Sequence, residues 1–146
     1  MQRDDLSALE GVLDQTGLFP SELLRPMAEP WLVGHADHCW LVALDQQRPI
    51  GFAYVEPERM TEGTFNLLAI AVEPALQARG AGRALVSDVM RRLQERGGRV
   101  LIIETSSLDE FAATRAFYEV LAFTPEARIR DFYRKGEDKL VYWKGL

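Results

Sequence analysis

A chain of 146 residues with 47% apolar and 27% charged side chains has material for one domain around a single substantial core. Its formal charge of -5 argues against a general nucleic-acid binder, which would carry a basic excess. One cysteine excludes an internal disulfide and suits a reducing, cytoplasmic compartment. The opening Met1-Gln2-Arg3-Asp4-Asp5 has no signal-peptide pattern, and the longest apolar run is far too short for a bilayer, so no membrane partner is expected.

Residues 4–15 place Leu6, Leu9, Val12 and Leu13 on one helical face, and Gly17 stops the helix. Phe19-Pro20-Ser21 opens a second helical segment running through Met27, with Ser21 as its cap and Glu22 suited to the first turn. His35 and His38 stand three apart without a further ligand cluster, and a metal site needs three or four ligands. They read as surface or loop histidines, and no metal is expected. Residues 39–44 read as a strand, 45–49 as a turn and 50–55 as its hairpin partner. Cys39 has no neighbour that would activate a thiol, so it reads as a buried structural cysteine rather than an acyl carrier. Glu56, Glu58 and Glu62 form an acidic cluster that reads either as a solvated loop or as an attraction for a cationic amine.

Leu67-Leu68-Ala69-Ile70-Ala71-Val72 is an unbroken apolar run, the pattern of a central strand covered on both faces. Glu73 and Pro74 end it, because proline cannot donate to a sheet ladder. After Gln77-Ala78-Arg79-Gly80-Ala81-Gly82, the residues Leu85, Val86, Val89, Met90 and Leu93 recur at helical spacing, up to Gly97-Gly98. A glycine turn that opens a helix leaves backbone N–H groups unpaired beside the positive end of the helix dipole. That is a phosphate site, with Gly80 and Gly82 removing side chains that would hold the phosphate away. A mononucleotide P-loop requires a lysine that this segment lacks. A dinucleotide turn places G-x-G-x-x-G directly after its strand, whereas Leu85 stands at the third glycine and seven residues separate Val72 from Gly80. Glu104 does end the next strand, where a ribose-binding acid would sit, so the dinucleotide reading is weakened and stays open.

Residues 100–103 form a further buried strand, and Glu104-Thr105-Ser106-Ser107 leaves its C-terminal end. In open α/β sheets ligands lie beyond the strand ends, so parallel strands would bring Glu104 and the glycine loop to one edge. Residues 109–121 are helical with Phe111, Thr114, Phe117, Tyr118 and Leu121 on one face. Two last strands, around 127–133 and 140–143, join through Gly136.

Gln77, Gly80 and Gly82 fill a Q-x-x-G-x-G pattern between a strand and a helix, which resembles the pyrophosphate loop of the GCN5-related N-acetyltransferases. The stretch from Thr114 through Arg115, Ala116, Phe117, Tyr118 and Leu121 to Phe123 resembles the same family's second signature. Arg130-Asp131-Phe132-Tyr133 is similar to its ribosomal-protein-acetyltransferase-like members. Two positions depart from the pattern. Ala122 stands where glycine is usual, and Phe111 where many members carry an asparagine against the pantetheine arm.

The resemblance implies a single N-acetyltransferase domain over residues 1–146, a three-layer α/β fold with a mixed, mostly antiparallel sheet flanked by helices. It also implies acetyl-coenzyme A as cosubstrate and an amine-bearing small molecule, peptide or protein as acceptor, with homodimers common among relatives. The backbone at Ile70, Ala71 and Val72 would align the pantetheine as an added strand. The amides of Gln77, Ala78, Arg79, Gly80, Ala81, Gly82, Arg83 and Ala84 would grip the diphosphate.

The chemistry follows from the reactants: an amine attacks a thioester and a thiolate departs. A lysine-like amine, of pKa roughly 10, must first lose a proton, and Glu104 is the candidate acceptor, as the matching glutamate is in some relatives. A structural carboxylate is the alternative for Glu104. Tyr118 is the candidate acid for the departing sulfur, and its alternative is a core tyrosine with a hydrogen-bonded hydroxyl. Two other functions stay open at this point: an acyl-coenzyme A-binding sensor without catalysis, and a dinucleotide-dependent oxidoreductase.

Overall fold

The computed structural model describes residues 1–35 and 37–146. Six strands form one sheet: β1 (Cys39–Asp45), β2 (Arg48–Pro57), β3 (Thr64–Val72), β4 (Val100–Ser106), β5 (Thr124–Arg134) and β6 (Glu137–Gly145), in the order β1-β2-β3-β4-β6-β5. All neighbours run antiparallel except β3 and β4, which are parallel. The helices are α1 (Leu6–Thr16), α2 (Leu24–Leu32), α3 (Ala81–Glu95) and α4 (Ala112–Val120).

Strand alternation divides the core in two. Trp40, Phe52, Tyr54, Ala69 and Ala71 point to one face and meet Leu6, Leu9, Val12 and Leu13 of α1 with Leu24 and Ala28 of α2. Leu41, Ala53, Val55, Leu67, Leu101 and Ile103 point to the other and meet Leu85, Val86, Val89 and Leu93 of α3 with Tyr118 of α4. Helices on both faces of a mixed, mostly antiparallel sheet make the three layers expected. Among the described residues no helix is long and apolar enough to cross a membrane.

The parallel contact between β3 and β4 is short, running from Thr64–Val100 to Leu67–Ile103 and no further. A β-bulge lies at its end: Val55 pairs with Leu67 and Tyr54 with Ala69, which leaves Leu68 without a partner on β2. Bulges sharpen the local twist, and here the two parallel strands separate beyond the irregularity. Leu68 is consequently 48% exposed. The apolar run therefore does not mean complete burial on both faces, as its composition suggested.

Other expectations shift for identifiable reasons. The second helix does not end at Met27 but continues to Leu32 with Pro30 inside it. Leu24 and Ala28 are fully buried, and the Trp31 Nε1 donates to the Met1 carbonyl at 3.3 Å, so tertiary contacts outweigh the local break. Ser21 makes no side-chain cap, since Ser21–Leu23 is a 3-10 turn entered from Pro20. The last two strands are longer than expected because all eleven residues of β5 are exposed, leaving no alternation to read. Ile129 pairs with Lys139 and Arg134 with Glu137, so residues 130–133 bulge out opposite Asp138. The buried Asp138 carboxylate holds that bulge, accepting from the Asp131 amide at 2.8 Å and from the Arg128 guanidinium. These donors keep its pKa below the ordinary carboxylate range.

Helix α4 ends on two reverse bonds, Ala122 N–H to Glu119 and Phe123 N–H to Tyr118, with Ala122 left-handed at φ 60. This is a Schellman end in which alanine occupies the glycine position.

Gly51 opposes Val72, and a Cβ there would lie 2.5 Å from the Ala71 carbonyl oxygen. Gly51→Ala should therefore destabilise the chain by about 2 kcal/mol, measured by urea denaturation.

Candidate active site

The loop between β3 and α3 is tied down before it reaches the site. Glu73 pairs with Arg48 at 2.7 Å, and its amide donates to the Ile50 carbonyl at 2.8 Å. The Gln77 side chain reaches back, Nε2 donating to the Val72 carbonyl at 3.0 Å. Ala78 (φ 59) and Gly80 (φ 94) are left-handed on either side of Arg79, an alternation that turns successive amides towards one point.

Helix α3 begins at Ala81, and Ala84 N–H makes its first turn bond, to the Gly80 carbonyl at 2.9 Å. Among the described residues, the amides of Ala81, Gly82 and Arg83 have no acceptor, as helix geometry requires. The expected grip is thus narrower than residues 77–84. The Ala84 amide is used by the helix, and the Gln77 amide donates to Pro74 at 3.3 Å. Free amides, the dipole and the bare Gly82 backbone together favour a negative group at this point.

This helix start opens onto a cleft of about 750 Å³ between the separated ends of β3 and β4. Ile70, Val72, Gln77, Ala78, Gly80, Gly82, Arg83, Glu104 and Tyr118 line it together. Ala71 instead packs in the α1-side core and Ala81 against the α3-side core, while Arg79 and Ala84 are exposed outside the lining. Phe111 lines the cleft from the turn before α4. Helix α4 is anchored to the end of β4 by Arg115, which donates to the Ser106 and Leu108 carbonyls at 3.0 and 2.7 Å.

Tyr118 is only 4% exposed, with its ring against Phe117, Phe123 and Tyr142. Burial, with Tyr142 adding to it, pushes its phenol pKa up to about 12. The hydroxyl therefore keeps its proton throughout the neutral range and can donate it.

Glu104 stands on β4, where its Oε2 accepts from Lys139 Nζ at 3.0 Å. Lys139 comes from β6, and its ammonium also lies 3.8 Å from the centre of the Phe132 ring. Among the described residues the Glu104 Oε1 has no hydrogen-bond partner. Tyr133 and Glu137 complete the wall beside it. Burial, then Glu104 and Glu137, raise the Tyr133 pKa.

Sequence reasoning did not find Tyr133, Glu137 or Leu68 as part of this cleft, nor Lys139 as the partner of Glu104 beside it. Lys139 was discoverable only through the β4–β6 register, in which Ser106 opposes it. Cys39 lies away from the cleft lining, buried in the α3-side core, with burial raising its thiol pKa.

The model of the acetyltransferase (GNAT) family matches residues 8–123. A GNAT-family protein of known structure from Desulfovibrio desulfuricans is 34% identical, with a TM-score of 0.91 over 98% of this chain and 93% of that one. The ribosomal-protein-S18-alanine N-acetyltransferase of Escherichia coli shares the fold at a TM-score of 0.77 and 22% identity, over 99% of this chain and 90% of that one. An aminoglycoside 6'-N-acetyltransferase complexed with coenzyme A does so at 0.78 and 18%, over 96% and 89%. In sequence, the bS18-alanine N-acetyltransferase of E. coli strain K12 is 37% identical over 68 residues, which are 47% of this chain. The match spans a little under half of that relative's length, 45%. The extent of the family match and the likeness to the Desulfovibrio protein agree with the split sheet and glycine-started helix: the chain belongs to the GNAT family of acetyltransferases.

Proposed function

We propose that this chain is an N-acetyltransferase that moves an acetyl group directly from acetyl-coenzyme A to the primary amine of a small molecule, peptide or protein. The observation that carries the reading is the row of unpartnered amides at Ala81, Gly82 and Arg83, opening into the cleft that also holds Glu104 and Tyr118. A diphosphate suits that row, because converging N–H groups and a helix dipole favour two adjoining negative groups. Beyond Leu67, β3 has no partner on its β4 side among the described residues, so the backbone from Leu68 to Val72 offers a free edge to the amides of a pantetheine arm. The cosubstrate supplies an activated acetyl thioester. The relatives' names point the same way, since a ribosomal-protein alanine and an aminoglycoside 6'-nitrogen are both amine acceptors.

In this reading Glu104 takes the proton of the incoming ammonium, directly or through water, on the oxygen not held by Lys139. Lys139 fixes the carboxylate in place. Tyr118, protonated at neutral pH as a phenol is and held more firmly so by burial, passes its proton to the departing sulfur. A non-catalytic acyl-coenzyme A sensor is the second reading, favoured by Phe111 in the cleft at the family's asparagine position. Thiol release across a panel of amines separates the two.

Gly82→Val should weaken acetyl-coenzyme A binding about tenfold or more, read by isothermal titration, because the new side chain fills the anion site and meets Phe117. Wild-type protein that binds no acetyl-coenzyme A would overturn the proposal. Tyr118→Phe should lower kcat about 10- to 100-fold while leaving KM nearly unchanged. With its pKa pushed up to about 12, Tyr118 should impose no alkaline loss of activity up to about pH 10. Glu104→Gln should cut kcat/KM about 100-fold. An unaltered kcat/KM would remove Glu104 as the base.

A further inference from the structure

We propose that Glu56, Glu58 and Asn66 form a subsite for a second positive charge on the acceptor, so that the reacting amine arrives as one end of a dication. The inference rests on the N-acetyltransferase reading and adds a substrate class to it.

Three observations place the subsite. Glu56 opposes Asn66 across β2–β3, and Asn66 is in register with Ile102 of β4, two residues before Glu104. Paired residues share a face and alternate residues return to it, so Glu56, Asn66 and Glu104 lie on one side of the sheet. In a regular sheet the diagonal from Asn66 to Glu104, one strand across and two residues along, is about 8 Å between Cα positions, and the divergence of β4 after Ile103 widens it. A short dication spans that distance.

The second observation is an unmet polar atom. Asn66 is 4% exposed, and its Nδ2 donates to Glu58 Oε1 at 2.9 Å. The Oδ1 of the same amide is buried and has no partner among the described residues. Buried carbonyl oxygens without a donor are uncommon in folded proteins. Here the vacant acceptor belongs to an amide already bonded to one of the two carboxylates.

The third is uncompensated charge. Glu56 accepts from the Tyr54 hydroxyl, which burial and Glu56 itself keep protonated. Neither Glu56 nor Glu58 has a cationic side chain within 4.0 Å among the described residues. Glu10, Glu29, Glu73, Glu104 and Glu137 each have one. A guanidinium or ammonium brings several N–H donors and a positive charge, which answers the orphaned Oδ1 and both carboxylates together. A neutral group of the same shape answers only the first.

The test uses charge-matched acceptors with thiol release as readout. Agmatine is set against N-carbamoylputrescine, and glycyl-arginine amide against glycyl-citrulline amide. Each pair differs by a guanidinium replaced with a neutral urea. Wild type should prefer the charged member of at least one pair by about tenfold in kcat/KM, and E56Q/E58Q should bring that ratio close to one. Preference in the diamine pair alone identifies a small polyamine-like acceptor, and preference in the dipeptide pair a basic peptide. No preference in either pair, or a ratio that survives in E56Q/E58Q, overturns the subsite. If no acceptor is turned over, direct titration of agmatine decides: binding weakened about tenfold in E56Q/E58Q supports the subsite, and equal or absent binding overturns it. Acetyl-coenzyme A titration alongside tells failure of the subsite from failure of the acetyltransferase reading, since only the latter abolishes cosubstrate binding by wild type.

Discussion

The site depends on a hydrogen-bond ladder that stops early. Strands β3 and β4 are held parallel for four pairs, ending at Leu67 and Ile103, and then diverge. Had the ladder continued, the β3 edge would be saturated, Leu68 would be covered and no cleft would exist. The divergence is stable because each strand keeps its other partner. β3 stays paired to β2 as far as Val72, and β4 to β6 as far as Ser106. The unsatisfied edge is confined to the two inner faces of the opening, where an extended ligand can complete it.

The residues of the proposed site are all placed relative to that opening. The βα connection after β3 delivers free amides to one lip, and β4 carries Glu104 to the other. Arg115 ties α4 to the end of β4, which brings Tyr118 beside the cleft. The loop contributes mainly backbone. Gln77, the polar residue of its motif, spends its amide on the Val72 carbonyl and so sets the loop's path. Ala78 adopts a left-handed conformation that costs an alanine about 1–2 kcal/mol, a local strain maintained by the anchoring on either side.

Much of this was legible in the sequence because it is local. The periodicity of Leu6, Leu9, Val12 and Leu13, and of Leu85, Val86, Val89 and Leu93, reports helices buried on one face. Those helices are where the structure has them. The glycine loop, Glu104 and Tyr118 stood out because a helix start, the polar break after an apolar run and a patterned helix each leave a short signature, although β4 itself continues past Glu104 to Ser106. What escaped depends on register between distant segments. The Lys139–Glu104 pair joins residues 35 apart, and no local pattern announces it. The exposure of Leu68 follows from one extra residue in β3, which apolar composition conceals. Strand β5 buries none of its residues, so the alternation that identifies strands was missing. Helix α2 runs through Pro30 because Leu24, Ala28 and Trp31 gain burial that the local sequence does not reveal.

The irregular outer strand has a bearing on how this molecule meets copies of itself. A sheet that ends in a straight, apolar ribbon invites another chain to add to its ladder. Here the terminal ribbon is broken where residues 130–133 swing out against Asp138, Asp131 is left-handed, and Arg128, Arg130 and Arg134 punctuate its length. Like charges brought side by side and a kinked backbone both oppose such growth. The bulge that borders the cleft thus also protects the open margin of the sheet from runaway stacking.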